Sequence, residues 1–150
     1  MTNDTVIRIA NPQDAEVVVR LVRELAQNEG EEIGLDEAYV HQYLAFPGSA
    51  ILLAVQGERA IGLLSYSVRP NLYHAGESAL IEELVISASA RSQGIGGLLV
   101  AALLERVEAL GCEEVSVSTM PDNHGAIRFY KSHGFEDEAV YLERHFGGSE

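Results

Sequence analysis

A short glycine-rich segment at residues 91–97 has the residue types of an anion-binding turn. It follows an apolar run with the length of a strand and precedes an apolar stretch with helical spacing. A turn of this kind leaves backbone N–H groups without partners inside the helix, beside the positive end of the helix dipole. We therefore predict a site that fits a pyrophosphate. Its residues are Arg91, Ser92, Gln93, Gly94, Ile95, Gly96 and Gly97.

Two carboxylates interrupt the strand-like run 79–86 just before this turn. A strand that is covered on both faces is nearly continuously apolar, so Glu82 and Glu83 are exceptional. Strand alternation predicts that the two side chains point to opposite faces and cannot share one role. We expect Glu82 to be partly buried, a setting that raises the pKa of a carboxyl group.

The elements that would position these residues alternate between strands and helices. Asn11 and Pro12 are typical of a helix start, and Gly30 is typical of a helix end. Strands are predicted at 6–9, 50–55, 60–68, 79–86, 114–118 and 139–146, and helices at 12–28, 36–45, 95–110 and 123–133. This order indicates one α/β domain over residues 1–150, with a mixed sheet and helices on both faces.

Composition argues against several classes of partner. Ten basic and 23 acidic residues give a net charge of −13, which disfavours nucleic acid and favours cationic small molecules. No apolar run reaches the roughly 20 residues of a membrane span, and the N-terminus lacks signal-peptide features, so we expect a cytoplasmic protein with no membrane partner. The single Cys112 offers no disulfide and no metal-ligand spacing, and we expect no metal.

A second motif makes the pattern specific. Residues 123–131 contain Asn-x-x-Ala-x-x-Phe-Tyr, followed by Gly-Phe at 134–135, and residues 91–96 match Arg/Gln-x-x-Gly-x-Gly/Ala. With both motifs in order after a matching strand, the chain resembles the GCN5-related N-acetyltransferase (GNAT) superfamily over nearly its whole length. The resemblance implies a mixed, mostly antiparallel sheet. It also implies transfer of an acetyl group from acetyl-CoA to an amine, with CoA as product.

The same resemblance assigns the cofactor site. The pyrophosphate would be held by residues 92–97, and Arg91 would add charge. Asn123 would hydrogen-bond the cofactor arm, although a plain N-cap role fits it equally well. Ser92 departs from the glycine or basic residue often found at its position, and Gln93 is neutral, so the turn depends more on N–H groups than on side-chain charge. The pantetheine arm would pair, like an added strand, with the main chain of Leu84, Val85 and Ile86.

The reaction requires a base and an acid. An amine with a pKa of about 10 is mostly protonated at neutral pH, and the product thiolate must receive a proton. The resemblance places Tyr130 beside the cofactor sulfur as the acid, although a packed helix aromatic is the alternative. Glu82 lies nine residues before Arg91, the spacing of a strand glutamate in polyamine-type members, and would be the base through a water. Glu83, or neither carboxylate, is the alternative base.

The acceptor is predicted to be the primary amine of a small, cationic molecule, attacked directly in a ternary complex. Glu29 matches a helix-end residue that binds the amine in diamine and thialysine acetyltransferases, but Asn28 replaces their tyrosine. His74 would contact substrate or act as a base, with a solvated loop residue as the alternative. Tyr39, His41 and Tyr43 would line the substrate opening. A packed helix face explains these three side chains equally well.

The sequence does not decide between this function and two alternatives, and it does not fix the oligomeric state. Acetylation of a protein lysine or N-terminus is an alternative within the same class of reaction. A non-catalytic acyl-CoA sensor is the alternative from another class. Members of the superfamily are often dimers, and the predicted strand 139–146 could be exchanged or packed between subunits of a homodimer.

Overall fold

The computed structural model describes residues 4–147. Its strands are β1 (Thr5–Ile9), β2 (Ser49–Gln56), β3 (Arg59–Asn71), β4 (Gly76–Ile86) and β5 (Glu114–Val117). Its α-helices are α1 (Ala15–Asn28), α2 (Glu37–Ala45), α3 (Ile95–Ala109) and α4 (His124–Ser132). The chain forms two compact units: one ends at Val117 and holds all five strands with α1 to α3, and the other begins at Ser118 and holds α4.

The five strands lie side by side in their sequence order. Neighbours from β1 to β4 pair in antiparallel fashion, and β5 pairs parallel to β4. The predicted mixed, mostly antiparallel sheet is therefore confirmed. The β4–β5 pairing ends where Ile81 lies opposite Val117, so β4 continues from Glu82 to Ile86 without β5 beside it.

Helices cover both faces of this sheet. On one face, Leu21 of α1 packs in a core cluster with Leu63 of β3. The neighbouring residue Gly62 faces the other way, and a methyl group added there would lie 3.2 Å from side-chain atoms of both Ile95 and Leu99 in α3. Because Gly62 has no side chain, α3 packs closely on the sheet. None of the described helices is long and apolar enough to cross a membrane.

The helix start predicted at Asn11 has the expected cap but a different geometry. The Asn11 side chain accepts a hydrogen bond from the Gln13 N–H, and Asp14 accepts one from the Asn11 N–H, both at 2.8 Å. These bonds cap a short 3-10 turn at Pro12–Asp14, and α1 itself begins at Ala15. The reciprocal bonds satisfy two donors that a bare turn would leave without partners.

Two sequence-based predictions are wrong in this part of the fold. The strand predicted at 139–146 has no regular secondary structure, and Val140 and Leu142 are 83% and 86% exposed. Residues typical of strands form one only with a pairing partner, and no described strand pairs with this segment. The strands predicted at 60–68 and 79–86 each fall three residues short at the turn between them, because β3 and β4 stay paired until Asn71 lies opposite Gly76.

A glycine between α2 and β2 gives a test of the packing. Gly48 has a φ of 87°, and its carbonyl accepts a hydrogen bond from the Val68 N–H at 2.8 Å. A methyl group added at Gly48 would collide with the Val68 carbonyl oxygen. Gly57, in the β2–β3 turn, has a φ of 62° but open space where its methyl group would lie.

We expect Gly48→Ala to lower the free energy of unfolding by about 3 kcal/mol, through backbone strain and overpacking together. Gly57→Ala should cost only the left-handed backbone penalty, about 1 kcal/mol. Urea unfolding followed by circular dichroism compares the two variants. Equal losses would contradict a close approach at Val68.

Candidate active site

The open edge of β4 is the first component of the site. Leu84, Val85 and Ile86 lie opposite Leu64, Leu63 and Gly62 of β3, and β5 has already ended on their other side. The exposed edge of a strand presents backbone N–H and C=O groups to an extended ligand. On this edge the Ile86 carbonyl accepts a hydrogen bond from Arg91 Nε at 3.3 Å. The geometry is suited to an added strand-like arm of the kind that the family resemblance implies.

The turn at 91–97 has the backbone of an anion-binding loop. Ser92 and Gly94 have left-handed φ values of 68° and 76°. Gly94 is the N-cap residue of α3, and because glycine has no side chain it makes no capping hydrogen bond. Helix geometry leaves the N–H groups of Ile95, Gly96 and Gly97 without carbonyl partners inside α3. A left-handed serine costs about 1–2 kcal/mol, and strain of this kind is typical of functional turns.

Side chains hold this turn to the rest of the unit. Gln93 accepts a hydrogen bond from Gln56 Nε2 at 3.0 Å, which ties the turn to the end of β2. Arg91 is exposed and adds positive charge beside the turn. The candidate anion site therefore combines helix N–H groups with one guanidinium.

A β-bulge corrects the prediction for the two carboxylates. In the β3–β4 ladder Ser65 lies opposite Glu83 and Tyr66 lies opposite Ile81, so Glu82 is an extra residue on β4. A bulge breaks the two-residue alternation of a strand. Ser65 and Ser67 are two residues apart on β3 and share a face, and their hydroxyls bond to Glu83 and Glu82. The Tyr43 hydroxyl of α2 also donates to Glu82, so both carboxylates lie on the side of the sheet that α2 covers. The prediction that they point to opposite faces is wrong.

The two carboxylates have different surroundings. Glu82 is exposed, contrary to the predicted partial burial, and its oxygens accept hydrogen bonds from the Tyr43 hydroxyl at 3.4 Å and the Ser67 hydroxyl at 3.2 Å. Glu83 is half-buried and hydrogen-bonded to the hydroxyl of the buried Ser65. Burial raises the pKa of Glu83, the Ser65 hydrogen bond opposes this, and the charge of Glu82 adds to the rise.

Of the three aromatic and histidine side chains predicted on α2, one reaches the carboxylates. Tyr43 donates toward Glu82, whereas Tyr39 is 56% exposed and the His41 ring binds the Pro12 carbonyl at 3.1 Å. The sequence gives no indication of Ser65 and Ser67, because serine is common in strands and these two have no distinctive spacing. Register with β4 is the only signal that identifies them, and it requires the structure.

The predicted acceptor residues Glu29 and His74 do not lie next to Glu82 on β4; they are at the end of α1 and in the β3–β4 turn. His74 is in the β3–β4 turn, 3.4 Å from Glu114 at the start of β5. Glu114 pairs with Ser78, and the four residues from there to Glu82 span roughly 13 Å of strand. Glu29 is the exposed C-cap of α1, five residues after Glu24, whose carboxylate accepts the Ala88 N–H at 2.7 Å beyond the end of β4.

The unit that begins at Ser118 carries the last two predicted residues. Asn123 is the N-cap of α4 and accepts the Ala126 N–H at 3.1 Å, so its capping role is confirmed. Tyr130 is 8% exposed and packs edge-on against Phe129 and Phe135, with ring centroids 5.1 Å and 5.6 Å apart. Burial raises the pKa of Tyr130, so the phenol keeps its proton at neutral pH. A protonated phenol can serve as a general acid.

Comparison with known proteins agrees with this geometry. A model of the acetyltransferase (GNAT) family matches residues 19–135. The chain is 29% identical over 130 residues to an aminoalkylphosphonate N-acetyltransferase of Salmonella typhimurium, covering 87% of this chain and 84% of that protein. It is 28% identical over 93 residues to an L-2,4-diaminobutyric acid acetyltransferase of Nocardia farcinica, covering 62% of this chain and 46% of that protein.

A solved structure extends the similarity to three dimensions. A Bacillus halodurans C-125 protein described as a transcriptional regulator superposes with a TM-score of 0.84 at 29% identity, covering 95% of this chain and all of the other. The family match covers more than three quarters of the 150 residues and includes the open β4 edge, the glycine turn and α4. The chain therefore belongs to the acetyltransferase (GNAT) family and is an N-acetyltransferase.

Proposed function

We propose that this enzyme transfers the acetyl group of acetyl-CoA to the primary amine of a small, cationic molecule by direct attack in a ternary complex. The observation that carries the proposal is the pair Glu82 and Glu83 on one face of the β4 bulge, next to the open strand edge. Two carboxylates attract a protonated amine and can accept its proton. An uncharged acceptor would gain nothing from this concentration of negative charge.

Acetyl-CoA is the proposed donor. Main-chain groups of Leu84, Val85 and Ile86 would pair with the pantetheine arm, and residues 92–97 with Arg91 would hold the pyrophosphate. The free N–H groups at the start of α3 support this assignment. The family match runs across the boundary at Val117, which supports one acetyltransferase domain made of both units. In that domain Asn123 would bind the cofactor arm in addition to capping α4.

The proposed reaction moves three protons. Glu82 takes a proton from the ammonium group through a water, and the free amine attacks the thioester carbonyl carbon. The carbon–sulfur bond then breaks, and the departing thiolate takes the phenol proton of Tyr130. The new amide nitrogen loses its second proton, which restores the phenol of Tyr130. Glu82 is in contact with solvent, as proton transfer through a water requires, and the phenol of Tyr130 is buried and protonated. Glu83 remains the alternative base, since burial gives it the higher proton affinity expected of one.

The acceptor class is supported by charge and by two relatives. The whole chain carries −13, and the relatives named above are an aminoalkylphosphonate and a diaminobutyric acid acetyltransferase. We propose an acceptor in the same range, a compact molecule with a primary amine. Glu29 and His74 would contact its remote groups from either end of the site.

An amine panel tests the proposed function. The protein is incubated with acetyl-CoA and diamines, diamino acids, aminoalkylphosphonates, aminoglycosides or lysine peptides, and thiol release is recorded. We expect turnover with a small primary amine that exceeds turnover with the peptides. Tight CoA binding without turnover of any amine would instead support an acyl-CoA sensor.

Replacement of Tyr130 tests the acid. We expect Tyr130→Phe to lower kcat by roughly 100-fold with little change in CoA affinity, because only the proton donor is lost. Tyr141→Phe is the matched control, since Tyr141 is 65% exposed in the same unit. Calorimetry gives the affinity and thiol release gives kcat. Unchanged turnover in Tyr130→Phe would remove the residue from its role.

Replacement of Glu82 tests the base. Glu82→Gln should lower kcat/KM most at neutral pH and recover part of it at high pH, where the amine loses its proton without help. Glu77→Gln, at an exposed position on the same strand, is the control. A loss that is equal at every pH would indicate a binding or structural role instead.

Arg91 tests the charge of the anion site. Arg91→Gln should weaken CoA binding by roughly tenfold and make the affinity less dependent on salt, because the remaining donors are backbone N–H groups. Arg69→Gln, exposed near the end of β3, should change neither quantity. Binding titrations at low and high salt measure both. An unchanged salt dependence would exclude direct contact between Arg91 and the pyrophosphate.

A further inference from the structure

The hydroxyl of Tyr43 lies at the interruption in the β3–β4 ladder. It is 3.3 Å from the Tyr66 carbonyl oxygen and 3.4 Å from Glu82 Oε1. Tyr66 and Glu82 flank the place where the register shifts, so Tyr43 bridges the two strands at the bulge. A phenol has one proton to donate, and a charged carboxylate is a stronger acceptor than a carbonyl.

The Glu82 carboxylate is thereby held at both of its oxygens. Tyr43 binds Oε1 from α2, and the Ser67 hydroxyl binds Oε2 from β3 at 3.2 Å. An exposed glutamate side chain ordinarily samples several rotamers, and two hydrogen bonds select one of them. A base must be held within hydrogen-bond reach of the proton that it accepts.

Tyr43 is a hydrogen-bond donor toward Glu82 in this arrangement. Its half-buried position and the charges of Glu82 and Glu83 raise the pKa of the phenol far above neutral pH. The hydroxyl therefore keeps its proton under the conditions in which the enzyme works. Its contribution is to orient the carboxylate rather than to exchange a proton.

We propose that Tyr43 is a positioning residue that, together with Ser67, holds the Glu82 carboxylate in its reactive orientation. This role rests on the proposed function, because it requires that Glu82 take part in the reaction. It makes α2 part of the catalytic apparatus through one hydroxyl group. The same helix carries Tyr39 four residues earlier, which points to solvent and has no such role.

Kinetics of four variants test the role. We expect Tyr43→Phe to lower kcat/KM by roughly tenfold, mainly through kcat, because an ordered base is lost while the amine still binds. Ser67→Ala should have a smaller effect in the same direction. Tyr39→Phe is the matched control and should leave kinetics unchanged. In a Glu82→Gln background, Tyr43→Phe should cause no further loss, since the carboxylate that it orients is gone.

A spectroscopic measurement tests the contact without any turnover. Ultraviolet titration of tyrosine ionisation, compared between wild type and Tyr43→Phe, isolates the Tyr43 transition. Glu82→Gln should move that transition to lower pH, because one of the negative charges that oppose ionisation has been removed. Glu77→Gln should leave it in place.

The outcomes separate the two proposals. A Tyr43 transition that ignores Glu82→Gln would overturn the positioning role whatever the activity. An equal loss from Tyr43→Phe with and without Glu82 would also overturn it, since the effect would then be structural. If the contact is measured but wild type acetylates no amine, the proposed function fails, and the catalytic role of Tyr43 fails with it while the contact remains.

Discussion

The ladder between β3 and β4 accommodates one extra residue, and the placement of both carboxylates of the candidate site depends on that insertion. Without it, Glu82 and Glu83 would alternate across the sheet, and one of them would face the apolar packing under α3. The bulge places both charges on the α2 face instead, where three hydroxyl groups donate hydrogen bonds to them. Bulges near active sites are known to redirect side chains in this way.

Two negative charges on one face repel each other. The structure offsets the energy of this repulsion by burying the two side chains to different extents. Glu82 remains in contact with solvent, where its charge is well screened, while Glu83 is withdrawn and bonded to Ser65. The pair therefore presents one exposed carboxylate and one half-buried carboxylate whose pKa is raised by burial.

The parts of the site that depend on local backbone chemistry could be predicted from the sequence. The glycine turn and the Asn123 cap need only nearby residues, and their geometry is as expected. The face of Glu82 could not be predicted, because nothing in the pattern of 79–86 marks an inserted residue. The contact of Tyr43 with Glu82 joins residues 39 positions apart, and only packing of α2 creates it. The prediction of a strand at 139–146 fails for a related reason, since strand pairing depends on a partner strand that composition does not reveal.

Gly62 lies where α3, the helix that begins at the candidate anion site, packs on the sheet. The missing side chain lets α3 pack directly against Ile86 and the sheet, so the helix axis is fixed by the fold rather than by whatever binds at its start. The N–H groups at that helix start are then aligned in the free protein. Binding an anion there should need little ordering of the chain, and this preorganisation favours affinity. Any movement that accompanies binding should then occur in other parts of the enzyme.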